Sequence, residues 1–311
     1  MKLLTFSQMR DLRKCDKYYW WKHVAMIRPV IESPALRFGS IYHYGLDCIK
    51  QGQTIEDAQE SLVTYAGGLI PLGLNDEARN SRLVEMEIAC QMVEVWANRY
   101  QDSSYRVVAS EIEFNVPLVN PDTGRHSRTF RLAGKMDCFV ESEGRLYLME
   151  HKTASESLEP DSNYWKRLRM DGQISTYWLA CKQMDKDIMA VIYDVARKPD
   201  IKPRKGETIQ EYGKRFAQDL IDRDERYFSR REVARLQSDL DEAAADIWMT
   251  AKKIRDCERF NRWPRNTDAC CRFGTCEYLN LCSEGYDIET QGIPEGFFKS
   301  DKLHPELSRV A

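Results

Sequence analysis

The sequence predicts an α/β protein in which a central mixed β-sheet is flanked by helices, with further helices ahead of it and a cysteine-rich segment behind. Three observations predict it. Apolar residues recur at helical spacing through the first third, alternate at strand spacing in several runs of the middle third, and return to helical spacing in a charged stretch beyond Pro203. The chain divides accordingly into an N-terminal helical part (1–104) containing Cys15 and His43, a sheet core (105–196), a basic loop with a helical insertion (197–263), and a cysteine-bearing segment with an extended tail (264–311).

The elements follow in order. A helix is expected from Ser7, as cap, to Val24, then others over Phe38–Lys50, Thr54–Tyr65 and Asp76–Tyr100. Strands are expected in "YRVVASEIEFNVPLV", "RTFRLAGKMDCFVE", "RLYLMEHK" and "DIMAVIYDVA", with a helix near Tyr164–Gln183 before the last. Thr208–Arg230 and Glu232–Cys257 read as long amphipathic helices that would shape a channel.

With 311 residues, 42% hydrophobic and 31% charged, the chain has the composition of a soluble globular protein that can bury a sizeable core. No apolar run approaches the roughly 18 residues of a membrane span, and "MKLLTFSQMRDLRKC" lacks the apolar centre of a signal peptide, so a cytoplasmic location without membrane contact is expected. A net charge of −3 gives no overall basic footprint. Charge is segregated instead: "NYWKRLRMDG" and "ARKPDIKPRKG" are basic, and "RDLRKCDKYYWWKH" mixes cations with aromatics as phosphate contact and base stacking would require. Solvated helix faces account for the same stretches.

The stretch "GKMDCFVESEGRLYLMEHKTA" places charge on strands that look buried. Side chains alternate along a strand, so Glu150 and Lys152 share one face. If Glu143 and Gly144 form a two-residue turn, Asp137 lies opposite Glu150 with Cβ atoms roughly 5 Å apart. Two adjacent carboxylates repel unless one takes a proton or a cation sits between them. A hard divalent ion such as Mg²⁺ or Mn²⁺ removes the conflict, and Lys152 could then position an attacking water or balance charge on a phosphoryl transition state. A structural Glu150–Lys152 ion pair fits the spacing as well.

Asp137 followed by Glu150, His151 and Lys152 resembles the D…(D/E)XK signature of the PD-(D/E)XK nuclease superfamily. "FGSIYHYGLD" resembles the helical G…H motif of its RecB-like branch, which implies His43 as a further metal ligand. "GQISTYWLA" resembles the QxxxY motif, which implies that Gln173 and Tyr177 support the site and contact DNA. "SEIEF" resembles the preceding strand, with Glu111 in or behind the metal shell. The resemblance implies a restriction-endonuclease-like core and a Mg²⁺- or Mn²⁺-dependent DNA exonuclease of recombination, repair or phage DNA metabolism. Asp137, Glu150, His43 and the His151 carbonyl would hold the ion, Lys152 would assist the water, and a separate helicase or recombination partner would unwind the substrate. A non-catalytic nucleic-acid-binding or assembly protein on the same fold is the alternative.

Ten cysteines are many for a reducing compartment. Cys48, Cys90, Cys138, Cys181 and Cys257 stand alone and read as small buried residues. Cys15, with Cys270, Cys271, Cys276 and Cys282, looks like the pattern of iron–sulfur RecB-like nucleases, which include AddB-type domains and CRISPR adaptation nucleases. Their trio is commonly C-x2-C-x5-C; here the x5 spacing is kept and the first gap is longer. The resemblance implies a structural [4Fe-4S] cluster on Cys15, Cys270, Cys276 and Cys282, with Cys271 as the other choice for the second ligand. A zinc site or free thiols remain open from spacing alone.

Overall fold

The structure is a computed structural model and describes residues 1–71, 73–272 and 274–307. The chain begins with β1 (Lys2–Leu4), α1 (Phe6–Lys14) and α2 (Asp16–Tyr19), then a π-helical turn over Trp20–Val24 and β2 (Ile27–Pro29). The helices α3 (Pro34–Lys50), α4 (Ile55–Gly68) and α5 (Asp76–Tyr100) follow. The middle consists of β3 (Arg106–Val119), β4 (His126–Ser142), β5 (Arg145–Ala154), α6 (Asn163–Leu168), α7 (Gly172–Gln183) and β6 (Ile188–Arg197). After it come α8 (Ile209–Asp222), α9 (Asp224–Tyr227), β7 (Phe228–Val233), α10 (Gln237–Phe260), α11 (Leu279–Ser283), α12 (Ile288–Gln291) and β8 (Phe297–Lys299).

The expected mixed sheet is present. Its order is β1-β4-β5-β6-β7, with β3 along the other side of β4; β1 runs parallel to β4, β5 runs parallel to β6, and the remaining pairs are antiparallel. Glu143 and Gly144, at φ 51° and 71°, form the two-residue turn that sets the β4–β5 register from Ser142↔Arg145 to Cys138↔Met149.

Strand alternation sends opposite side chains to opposite helical layers. Leu148, Val191, Tyr193 and Val195 join one core with α1, α7 and α10, while α3, α4, α5 and α8 form another around Phe38, Tyr42, Met92 and Phe216. A Cβ on Gly45 would stand 2.7 Å from Leu62 and Val93, so glycine lets α3 lie close to α4 and α5. Among the described residues no helix is long and apolar enough to cross a membrane.

Five expectations are corrected. Thr5, not Ser7, caps α1: its hydroxyl accepts from the Gln8 N–H while the Gln8 side chain accepts from Thr5 N–H. The helix expected to Val24 breaks at Cys15, which is extended at φ −170°. The helix expected over Tyr164–Gln183 is two helices, the second restarted by Asp171 accepting from Gln173 N–H. The expected helix over Thr208–Arg230 stops at Asp222, and Phe228–Val233 is an edge strand, so the helical insertion contributes to the sheet. A ladder partner on β6 and burial of Phe228 outweigh the helical pattern there. Part of the expected tail also forms a strand, β8, which pairs with β2.

Candidate active site

The β4–β5 ladder ends at Cys138↔Met149, and beyond it β5 continues beside β6 alone. The strands fork there. Gly134 lies within the fork region of β4, where a Cβ would stand 2.7 Å from the Phe114 ring. Asp137 occupies the position that a ladder partner would take, its Oδ2 accepting the His151 backbone N–H at 2.7 Å. The side chain of Asp137 is 16% exposed and that of Glu150 is 5% exposed.

Glu150 and Lys152 face α7. Lys152 Nζ donates to Glu150 Oε1 at 3.0 Å and to Gln173 Oε1; Gln173 Nε2 donates to the Tyr177 hydroxyl at 2.8 Å, which donates to the Lys135 carbonyl at 2.8 Å. This chain of bonds runs from β5 across α7 and back to β4, fixing the ammonium beside the carboxylate.

Burial, with Asp137 next, pushes the Glu150 carboxyl up to about 8 against the pull of Lys152. Its Oε2 is buried without a hydrogen-bond partner. Burial also opposes ionisation of Asp137, but His43, His151, Lys50 and the His151 N–H together hold that carboxyl below its ordinary value. Burial works against the Lys152 ammonium too, and Glu150 and Asp171 outweigh it, so its pKa is raised.

His151 turns to the opposite face, where its Nδ1 lies 3.0 Å from Asp194 Oδ2. Asp194 also accepts from the Trp96 indole at 2.7 Å and faces Arg230 Nε at 3.2 Å. Burial alone would raise the Asp194 carboxyl; the His151 hydrogen bond and Arg230 hold it down to about 2. His43, on α3, stands with its Nδ1 3.9 Å from Asp137 Oδ2 and its ring 6.1 Å from that of His151. Packing against these groups lowers its pKa to about 4 despite Asp137, so the imidazole is neutral at pH 7 with a lone pair to offer.

The expected residues Asp137, Glu150, Lys152, Gln173, Tyr177, His151 and His43 thus surround one fork. Glu111 falls in register opposite Asp137, between Ser110↔Cys138 and Ile112↔Met136, but it adopts φ 51° and its carboxylate pairs with Lys135 instead. Sequence reasoning missed Asp171, Asp194, Trp96 and Arg230. A lone Asp inside the apolar run "VIYDVA" was the available signal for Asp194, since a buried carboxylate requires partners.

As the side chains stand, no group of three or more His, Cys, Asp or Glu among the described residues is arranged to hold a metal ion. The donor chemistry at the fork nevertheless fits a hard cation: paired carboxylates, an unsatisfied buried Oε2 and a neutral imidazole.

The four expected cluster cysteines, Cys15, Cys270, Cys276 and Cys282, line one cavity of about 180 Å³, while Cys271 is exposed and does not line it. Cys15 Sγ accepts from Asn266 N–H at 3.2 Å and Cys282 Sγ from the Trp21 indole at 3.3 Å, donors that suit sulfur carrying negative charge. Tyr18, Trp21 and Tyr278 pack beside it as an aromatic wall. The five other cysteines are buried, as expected.

The family model of the PD-(D/E)XK nuclease superfamily matches residues 3–283. No curated protein matches the chain significantly. Among solved structures, a "Putative exonuclease" from Eubacterium rectale is 13% identical over 88% of this chain and 89% of its own, with a TM-score of 0.46. The structure of SSO0001 is 13% identical over 55% of this chain and 70% of its own, with a TM-score of 0.28.

Proposed function

Since the chain belongs to the PD-(D/E)XK nuclease superfamily, we propose that it is a divalent-metal-dependent deoxyribonuclease, an exonuclease of recombination, repair or phage DNA metabolism. One observation supports this most strongly. Glu150 is buried beside Asp137 with one oxygen unsatisfied and its carboxyl pushed up to about 8, an arrangement that a cation relieves.

In this reading Asp137, Glu150 and His43, with the His151 carbonyl, hold Mg²⁺ or Mn²⁺. The bound ion supplies Lewis-acid polarisation of the phosphate and a nucleophile at neutral pH. Lys152, clamped between Glu150 and Gln173, orients the attacking water and meets negative charge developing on the phosphoryl oxygens. Tyr177 fixes Gln173 against β4, and Glu111 holds Lys135 beside it.

The same reading puts the chain in the iron–sulfur RecB-like branch, like AddB-type domains. Cys15, Cys270, Cys276 and Cys282 would hold a [4Fe-4S] cluster as a staple between chain ends; their shared cavity, with Cys271 outside it, supports that set. Absorption spectra and iron content of anaerobically purified protein test it, and a colourless zinc protein would sink it.

The nuclease reading is tested by incubating end-labelled single- and double-stranded DNA with Mg²⁺ or Mn²⁺. Wild type should shorten the DNA from its ends, and Asp137→Ala and Lys152→Ala should each bind it while cutting at least about 10²–10³-fold more slowly. Absence of cleavage by the wild type with either metal would overturn it.

A further inference from the structure

The basic, aromatic run "RDLRKCDKYYWWKH" is divided by the fold. Tyr18, Tyr19 and Trp21 enter the core, while Lys17 and Trp20 remain partly exposed. There they meet the loop that follows α10, where Asn261, at φ 48°, ends the helix. That loop is tied down at both ends: Arg262 N–H donates to the Cys257 carbonyl at 3.0 Å, Lys17 N–H to the Pro264 carbonyl at 3.0 Å, and the Asn266 side chain to the Lys14 carbonyl at 2.9 Å. Arg262, Trp263 and Arg265 are therefore presented from a fixed backbone.

Lys17, Trp20, Arg262, Trp263, Arg265 and Tyr286 line an open groove of about 590 Å³. Trp263 rests one ring face on Tyr19, at 5.4 Å and 17°, and Lys17 Nζ lies 3.5 Å above the Trp20 ring. Both arginines are exposed, and neither has a carboxylate at salt-bridge distance among the described residues. Two acids also line the groove. Asp287 is engaged in capping, accepting from Glu289 N–H at 3.0 Å and the Thr290 hydroxyl at 3.1 Å, and Glu289 lines the groove along with Lys17, Arg262 and Arg265.

We propose that this groove is a track for single-stranded DNA lying outside the carboxylate fork. Arg262 and Arg265 take phosphates and the indoles of Trp20 and Trp263 take bases. Unpaired guanidiniums beside aromatic faces match a strand that offers both charge and unstacked bases, whereas the bases of a duplex are already stacked. The choice of DNA as the polymer rests on the nuclease reading above.

The test uses the full chain with a chelator present, so that nothing is cut, and follows fluorescence anisotropy of labelled oligothymidylate. Arg262→Gln with Arg265→Gln should weaken binding about tenfold at low salt and flatten the log affinity against log salt slope by about 1.4, two phosphate contacts at about 0.7 each. Trp20→Leu should weaken binding with the slope unchanged, an independent reading should the double variant melt early. A blunt duplex and oligouridylate should both bind more weakly than oligothymidylate. Unchanged affinity and slope in the double variant would overturn the track, tighter binding of the duplex would overturn its single-strand preference, and tighter binding of oligouridylate would overturn the DNA assignment. The same variants assayed for cleavage separate the two readings. Retained cleavage at saturating DNA with a raised KM supports both; cleavage by wild type with unaltered binding by the variants removes only the track; groove-dependent binding without any wild-type cleavage removes only the nuclease.

Discussion

The carboxylate fork and the cysteine cavity both crowd groups of like chemistry, and the chain builds them in opposite ways. At the fork, Asp137, Glu150 and Lys152 sit on one hairpin and take their partners from its own backbone and from α7. At the cavity, Cys15 meets Cys270, Cys276 and Cys282 from the far end of the chain, beside Tyr18, Trp21 and Tyr278 and near the β2–β8 pair. Sheet geometry holds charges together that would otherwise separate, at a cost to folding. At the cavity, packing of Tyr18, Trp21 and Tyr278 beside the β2–β8 pair brings the thiols together and contributes to folding. Truncating the fork side chains that meet substrate, Asp137 or Lys152, should fall on chemistry, and truncating a cavity cysteine or the fork's buried anchor on stability.

The sharpest attempt to break this comparison lies behind the fork. Asp194 anchors His151, the indole of Trp96 and Arg230 with its side chain only 2% exposed. Asp194→Ala should cost about 3–5 kcal/mol in urea unfolding because it strands the Arg230 charge. Its folded pKa, about 2, lies below an unfolded value near 3.9, so its ionic contribution is present above pH ~4 and lost as pH falls through about 2. The gap between wild type and Asp194→Asn should therefore narrow below pH 4. A loss under about 1 kcal/mol at pH 7 would show that the fork needs no such anchor.

A smaller effect has the opposite sign. Glu150 has a folded pKa of about 8, above its unfolded value near 4.3, so the folded state binds the extra proton and stability falls as pH rises between those values. Glu150→Gln should stabilise the metal-free protein by up to about 3 kcal/mol at pH 7, with the gain vanishing below pH ~4. Destabilisation by that substitution would mean that the carboxylates are structural.

The cavity supplies the smallest contrast. Cys271→Ser should leave stability within about 0.5 kcal/mol, whereas Cys270→Ser should lower both the melting temperature and the iron content. Equal effects would erase the distinction that the cavity draws between neighbouring residues.

Much of the sheet was legible because β5 and β6 are short, mostly apolar runs bounded by polar segments and the Glu143–Gly144 turn fixes the β4–β5 register. The helix over Asp76–Tyr100 was legible from its period. The edge strand β7 was not: "FSRREV" is short and charged and continues a helical pattern, and only its pairing with β6 makes it a strand. Missing β7 hid Arg230, and with it the anchoring of Asp194. The fork's widening beyond Met149 was equally invisible, because a motif gives the order of residues but not where two strands part. The distinction between Cys270 and Cys271 depends on a short 3₁₀ turn over Thr267–Ala269, below the reach of spacing.

The most direct test of the central claim is Mn²⁺ binding at pH 7, followed by calorimetry in two buffers of different ionisation enthalpy. A carboxyl held near 8 is protonated at that pH, so the ion should displace about one proton per site in wild type and none in Glu150→Gln. Absence of Mn²⁺ binding, or binding by wild type without proton release, would contradict the account of a carboxylate pair held in wait for a cation.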